Sequence, residues 1–222
     1  MTIFEQRESN VRGYSRVYPV TFTTAKNARQ TDDTGKEYID FFAGAGVLNF
    51  GHNNEAMINA MIEYMKNDGV LHSLDMQTSA KAEFMQTFTD LILEPRNMPH
   101  RIQFMGPTGT NAVEAAMKIA RRATGRTEIL AFSQGFHGMT LGSLAATANE
   151  YFRNASGVPL NHVRHEAFGC EVPCNGCNQG CGLSSLDHLR ARYLNTSSGM
   201  AKPAAILLET IQAEGGVNVA SK

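Results

Sequence analysis

The feature that most constrains the fold is an alternation of short candidate strands with helical stretches after residue 100. The candidate strands occupy residues 101–105, 127–132, 163–166 and 203–209. Stretches typical of helices lie between them, at about 111–123, from Thr140 onward and at about 185–194. Strands that alternate with helices at this spacing favour βαβ units. We therefore predict an α/β fold with a largely parallel sheet.

The residues before this alternation follow another pattern. A turn over residues 31–35 precedes a strand over 36–42, and apolar periodicity predicts helices over 54–67 and 78–93. In the second helix we expect the apolar residues to face inward: Phe84, Met85, Phe88, Leu91 and Ile92. We divide the chain into residues 1–95, an arm with strands and helices, and residues 96–222, the incomplete first part of the sheet domain.

Charge and hydropathy exclude several classes of protein. The 222 residues carry 20 basic and 21 acidic side chains, and this balance argues against a nucleic-acid partner. No apolar run is long enough to cross a membrane, and the N-terminus has no apolar segment typical of a secretory signal. We therefore expect a cytoplasmic protein that binds neither nucleic acid nor membrane.

Residues 106–114 (GPTGTNAVE) place a glycine-bearing turn between a predicted strand and a helix. Such a turn directs free backbone N–H groups at one point, which suits a phosphate. Gly109 allows close approach, and Thr108 and Thr110 add hydroxyl groups. The alternative is a plain turn with Thr or Asn as the helix cap.

Two further loops follow predicted strands. In residues 133–140 (SQGFHGMT), flanking glycines would push Phe136 and His137 out over a ligand site, where an aromatic ring stacks on a flat ligand. In residues 208–216 (LETIQAEGG), Glu209 and Glu214 lie where acids often contact a ligand. The alternatives are a core phenylalanine with a satisfied loop histidine, and a solvated acidic loop.

Together with residues 14–19 (Tyr-x-x-x-x-Pro) and 43–52 (AGAGVLNFGH), these segments resemble the class III, fold-type I aminotransferases, which use pyridoxal 5′-phosphate. The resemblance implies the PLP-dependent transferase fold and roles for six residues. Gly109 and Thr110 would bind the cofactor phosphate through their backbone, and Phe136 would stack on the pyridine ring. His137 would line the pocket. Tyr14 and Glu214 would contact the substrate.

Within the family, the segments look most like the diaminobutyrate branch, whose product is the ectoine precursor. Relatives that grip an α-carboxylate often read FHGR, but here Met139 follows FHG. The resemblance thus implies amino transfer between glutamate and aspartate semialdehyde, giving 2-oxoglutarate and 2,4-diaminobutyrate. It also implies a homodimer, because the family's active site is shared between two subunits.

Two motifs of the family have no match in this sequence. They contain the aspartate that holds the pyridine nitrogen and the lysine that binds the cofactor aldehyde. We therefore assign no catalytic residue, interpret the sequence as the N-terminal half of such an enzyme, and expect the chain alone to be inactive.

Four cysteines fall within twelve residues: Cys170, Cys174, Cys177 and Cys181. Four thiolates at this density could hold zinc or an iron–sulfur cluster, or they could remain reduced in a variable surface loop. The resembled family has no metal there, so we assign no metal site. The alternative function is a non-catalytic chain that binds metal or a partner through this loop.

Overall fold

The computed structural model describes residues 2–9, 18, 20–169 and 181–220, with the backbone alone for 181–185. The chain divides into two compact units, Met1–Ile102 and Gln103–Lys222. The sequence-based division into residues 1–95 and 96–222 stays a prediction. No helix in the described ranges has both the length and the apolar character needed to cross a membrane.

The first unit contains a three-stranded antiparallel sheet in the order β1-β2-β3. The strands are Phe22–Lys26 (β1), Arg29–Asp32 (β2) and Glu37–Ile39 (β3). The Asp32 carboxylate accepts hydrogen bonds from the hydroxyl and N–H of Thr34, from the Lys36 N–H and from the Tyr38 hydroxyl. These hydrogen bonds lower the pKa of Asp32 to about 2, and the one from the Thr34 hydroxyl has the largest effect. They secure the turn predicted between the second and third strands.

The first unit contains a short helix that the sequence did not indicate, Ile3–Arg7 (α1), and two helices that begin within one residue of the predicted starts, Glu55–Lys66 (α2) and Ser79–Phe88 (α3). A π-helical turn Thr89–Leu93 and a 3-10 turn Glu94–Arg96 follow α3. Asn54 caps α2 by accepting from the Met57 N–H, and Thr78 caps α3 by accepting from the Lys81 N–H.

The prediction that the second helix turns its apolar side chains inward is wrong in the described part of the chain. Leu91 is 66% exposed and Phe84 is 50% exposed; Met85 and Ile92 are exposed as well, and Phe88 is half-buried. Neither α2, α3 nor the π-helical turn contains a buried residue. Periodicity determines which side chains share a helix face, but it does not show what covers that face.

The second unit contains a three-stranded parallel sheet in the order β5-β4-β6. The strands are Ile129–Phe132 (β4), Val163–Glu166 (β5) and Ala205–Ile206 (β6). In the central strand Ile129 pairs with Val163 on one side and Ala205 on the other. The α/β prediction and the strands near 127–132 and 163–166 are confirmed.

Two strand predictions need correction. Residues 101–105 form no strand, and the predicted strand over 203–209 shortens to Ala205–Ile206. An apolar run becomes a strand only where a neighbouring strand completes its hydrogen bonds. An antiparallel pair that the sequence did not indicate follows, Ile211–Gln212 (β7) with Asn218–Val219 (β8).

The described residues of the second unit form four α-helices: Gly109–Thr124 (α4), Leu141–Ala146 (α5), Glu150–Arg153 (α6) and Cys181–Leu194 (α7). Of these, α4 and α5 pack against the parallel sheet and build the core with it. The buried apolar residues come from α4, β4 and α5: Ala115, Met117, Ile129, Leu130, Ala131, Phe132, Leu144, Ala145 and Ala146. Every residue of β4 is buried, as expected for a central parallel strand.

Candidate active site

The first element of the site is the N-terminus of α4, which opens with Gly109 and Thr110. The first N–H groups of a helix have no acceptor within the helix. Asn111 Oδ1 accepts the Thr108 backbone N–H at 3.3 Å and the Thr108 hydroxyl at 2.6 Å, so the capping expected in the alternative interpretation is present. A Cβ added to Gly109 would meet no heavy atom within 4 Å, so the space beside this turn is open. The open space and the helix N-terminus together fit a phosphate group.

The loop after β4, residues 133–140, lies against this turn. The hydroxyl oxygens of Thr110 and Thr140 are 2.6 Å apart. Gly138 has φ +126°, and a Cβ added there would come within 2.5 Å of Thr110 Oγ1. Only glycine combines that backbone conformation with this close approach. The structure therefore brings together the glycine-bearing turn at the start of α4 and the aromatic loop, which the sequence singled out separately.

Phe136 is half-buried and lines a cavity of about 250 Å³ together with Glu214. Its ring packs edge-on against Phe152 at a centroid distance of 5.5 Å. The rest of the cavity is formed by small and polar residues: Gln134, Gly135, Ala148, Asn149 and Gly215. The structure thus places two of the six predicted site residues on one cavity. The stacking role of Phe136 and the substrate contact of Glu214 stay predictions.

His137 is buried, at 8% exposure, whereas flanking glycines were expected to push it outward. The physical reason is that its backbone N–H donates to the buried Thr147 hydroxyl at 3.0 Å, which holds the residue against α5. Its ring Nε2 has no hydrogen-bond partner within the described part of the chain. Burial lowers the pKa of His137 most, while Glu209 raises this pKa and His165 lowers it further. A buried neutral imidazole with an unmatched nitrogen suits a polar ligand better than a satisfied loop histidine does.

Residues 208–216 hold the loop of residues 133–140 in place. Glu209 Oε1 accepts the Phe136 backbone N–H at 2.8 Å. The Gln212 side chain, 1% exposed, donates to the Ser133 backbone carbonyl at 2.8 Å. The sequence interpretation gave Glu209 a possible ligand contact, but its carboxylate anchors the Phe136 loop. Sequence reasoning missed Thr147, although a hydroxyl at the end of a run of small residues indicates a buried hydrogen-bonding role.

A separate loop in the first unit contains the glycine-dense segment 43–52. Asp40 Oδ1 accepts the N–H groups of Phe42 and Ala43 at 2.8 and 2.9 Å, and Asp40 Oδ2 lies 2.7 Å from His52 Nε2. The Ala43 N–H bond and the His52 bond are the largest causes that lower the pKa of Asp40 to about 2. Gly44 adopts a left-handed conformation at φ +58°. Close backbone approach to a ligand stays a prediction for this loop.

Some predicted residues lie outside the described ranges. They are Tyr14 and three of the cysteines, Cys170, Cys174 and Cys177. The α7 helix begins at Cys181. Across residues 2–9, 18, 20–169 and 181–220, no three His, Cys, Asp or Glu side chains are grouped in a way that could hold a metal ion.

The sequence profile of the class-III aminotransferases matches residues 11–222. With the parallel sheet and the glycine turn at α4, this match defines the class of protein: the chain belongs to the class-III aminotransferase family. Two similar relatives are named diaminobutyrate–2-oxoglutarate transaminase. The one from Halalkalibacterium halodurans is 49% identical over 99% of this chain, and the one from Sporosarcina pasteurii is 51% identical over 100% of it. The chain spans 50% of the length of each of these relatives.

Solved structures of the family share the fold. Ornithine aminotransferase from Toxoplasma gondii superimposes with a TM-score of 0.73 at 21% identity, over 97% of this chain and 46% of that one. Taurine:2-oxoglutarate aminotransferase from Bifidobacterium kashiwanohense, solved with PLP and glutamate, gives 0.76 at 20% identity, over 90% of this chain and 45% of that one. The predicted PLP-dependent transferase fold is confirmed.

Proposed function

We propose that the protein containing this chain is a pyridoxal-phosphate aminotransferase that moves an amino group from glutamate to aspartate semialdehyde. The products are 2,4-diaminobutyrate and 2-oxoglutarate. The observation that carries the proposal is that about half of the residues are identical to those of relatives named for this reaction, along the whole chain. The convergence of the α4 turn with the Phe136 loop adds independent geometric support.

The residues present fit the cofactor. Backbone N–H groups of Gly109 and Thr110 would hold its phosphate, because they open α4 beside unfilled space. Phe136 would cover the pyridine ring, and buried His137 would offer its unmatched Nε2 inside the pocket. Pyridoxal phosphate, when bound, supplies the electron sink that stabilises negative charge on the substrate carbon.

The residues of this chain would orient the cofactor and the substrate and exclude water from the site. They would not carry out proton transfer. Glu209 and Gln212 fix the Phe136 loop through hydrogen bonds to its backbone. Tyr14 and Glu214 would contact the substrate. The sequence has no match to the family's cofactor-binding lysine and pyridine-binding aspartate, so we expect the 222-residue chain alone to be inactive.

Three finer assignments belong to the same proposal. The full-length enzyme would be a homodimer, it would act in the cytoplasm, and its product would serve ectoine synthesis. The large exposed apolar area of the first unit supports an association surface. Light scattering on the purified full-length protein tests the dimer.

The experiment that tests the reaction uses the full-length protein with 2-oxoglutarate as amino acceptor. The kcat/KM values are compared for 2,4-diaminobutyrate, ornithine, GABA and acetylornithine. We expect 2,4-diaminobutyrate to be the best donor. Met139 offers no charged partner to a substrate carboxylate far from the reacting amine, so such a carboxylate would be desolvated without an ion pair. If acetylornithine were the best donor, the diaminobutyrate assignment would fail while the aminotransferase class remained.

A further inference from the structure

Glu114 connects α4 to the first turn of α5. Its Oε1 accepts the Thr140 hydroxyl at 2.6 Å and the Ser143 backbone N–H at 3.0 Å. A Cβ added to Gly142 would overlap the Glu114 carboxylate, so glycine makes room for it. The Ser143 hydroxyl returns a bond to the Thr110 carbonyl at 3.3 Å. Glu114 therefore anchors both helix starts to one another.

The hydrogen bonds beside Glu114 have a defined direction. A carboxylate only accepts, so the Thr140 hydroxyl must donate its single proton to Glu114. Thr110 Oγ1 lies 2.6 Å from Thr140 Oγ1. Because the Thr140 proton is already committed, the Thr110 hydroxyl must be the donor in this second bond. Thr110 then has only lone pairs left for any group beside the start of α4.

This direction determines which atoms can hold a phosphate. A phosphate dianion accepts hydrogen bonds and is repelled by lone pairs, so it gains nothing from the Thr110 hydroxyl in this state. At the start of α4, within the described part of the chain, the donors that remain are the main-chain N–H groups of the first helical turn. We propose that Glu114 is a positioning residue of the phosphate site: through Thr140 it turns the Thr110 hydroxyl away, so Thr110 binds the phosphate through its main chain and not through its hydroxyl.

The proposal rests on the proposed function, and phosphate affinity tests it apart from activity. The full-length protein, freed of cofactor, is titrated with pyridoxal 5′-phosphate and with pyridoxal while absorbance is recorded. The ratio used is the dissociation constant of pyridoxal divided by that of pyridoxal 5′-phosphate. It isolates the contribution of the phosphate group to affinity. Thr110→Val removes the hydroxyl but keeps the main-chain N–H, and we expect it to change this ratio by less than about twofold.

The decisive comparison repeats Thr110→Val in altered backgrounds. In Glu114→Ala the Thr140 proton is released, and in Thr140→Val the relay is removed, so in both the Thr110 hydroxyl is free to donate to phosphate. There we expect Thr110→Val to reduce the ratio about five- to tenfold. Glu114→Gln keeps an Oε1 acceptor and should behave as the unaltered protein does. Thr140→Val keeps the bond between Glu114 and Ser143, so it serves if Glu114→Ala does not fold.

If Glu114 has a purely structural role, Thr110→Val should change the ratio of dissociation constants equally in every background. That result would overturn the proposal. A tenfold cost of Thr110→Val in the otherwise unaltered protein would also overturn it, since the hydroxyl would then bind phosphate directly. The matched control is Glu128→Ala, which removes a carboxylate paired with His162 just before β4 and should leave every ratio unchanged. If the unaltered protein bound pyridoxal as tightly as its phosphate, the proposed function itself would fail.

Discussion

The two units contain similar amphipathic helices but bury them to different extents. Met117 on α4 in the second unit is 3% exposed, whereas Met61 on α2 in the first is 61% exposed. Both helices have the apolar spacing that places such residues on one face. The difference lies in what each face meets, because α4 packs in a unit built around a fully buried central strand.

The first unit has no comparable centre within the described ranges. Its antiparallel sheet buries one residue, Asp32, which is polar. Its helices and loops expose Phe41, Phe50, Met57, Leu71 and Leu91, each by more than half. Exposed apolar area on this scale is typical of a surface that packs against further protein, and the proposed homodimer would supply such a cover. Amphipathic helices alone therefore do not build a core, and a sheet with a covered face does.

The largest expected contrast between the units is in the cost of shortening a leucine. Leu130, 1% exposed in β4, should cost about 3 kcal/mol of unfolding free energy when changed to Ala. Leu91→Ala in the first unit should cost less than about 0.5 kcal/mol. Urea unfolding of the 222-residue chain measures both. Equal costs would show that the apolar face of the first unit is covered in the folded chain.

A second contrast concerns left-handed glycines. Gly138→Ala should cost about 2–4 kcal/mol, because backbone strain adds to overlap with Thr110. Gly35 has φ +86° but open space, so Gly35→Ala should cost only about 1 kcal/mol of strain. Thermal unfolding of the two variants gives the difference. A Gly35 variant as unstable as the Gly138 variant would mean that crowding contributes nothing.

A third contrast compares two edge-on aromatic pairs. Phe136 meets Phe152 at 5.5 Å, and Phe22 meets Tyr38 at 5.4 Å. Phe136→Ala should weaken cofactor binding to the full-length protein by about 1 kcal/mol, roughly fivefold, while Phe136→Tyr keeps the ring and most of the affinity. Phe22→Ala should leave cofactor affinity unchanged. Unaltered affinity in Phe136→Ala would remove the stacking role.

The smallest contrast is in pH dependence. Burial, the largest cause for both, lowers the pKa of His137 and of His165 below the ordinary value of 6.5. The unfolded chain therefore binds more protons, and this part of the second unit's stability is present above pH 6.5 and declines as pH falls below it. The first unit's Asp32 and Asp40, with pKa values near 2, lose their contribution only below pH 3.8.

Urea unfolding at pH 7.5 and pH 5.5 checks this order. The second unit should lose stability between the two values, and His137→Gln or His165→Gln should reduce that loss. An unchanged loss in both variants would assign the pH dependence to other groups.

Local rules predicted much of the fold. Capping residues such as Asn54 and Thr78 define helix starts, and an apolar run defines β4. The strand at 101–105 failed because strand formation depends on a partner that periodicity does not identify. The β7–β8 pair was missed because each strand has only two residues, too few for a pattern to emerge.

The site was predictable in its parts but not in its contacts. Glycines and an aromatic residue after strands identified the α4 turn and the Phe136 loop. The bonds that join them, from Glu114 to Thr140 and from Glu209 to Phe136, link residues 26 and 73 positions apart. No local spacing rule covers such distances. The burial of His137 likewise depends on Thr147, ten residues later, through a hydrogen bond that no sequence pattern specifies.

The strand order of the second unit has a consequence for synthesis. The central strand, Ile129–Phe132, is made before either neighbour, and its Ala205 partner is made last. At ordinary translation rates the gap between Ile129 and Ala205 lasts about 4–15 s. During that time one edge of β4 has no strand to pair with, and its apolar faces are not yet fully covered. The nascent chain is therefore expected to need a chaperone most between the emergence of β4 and that of β6.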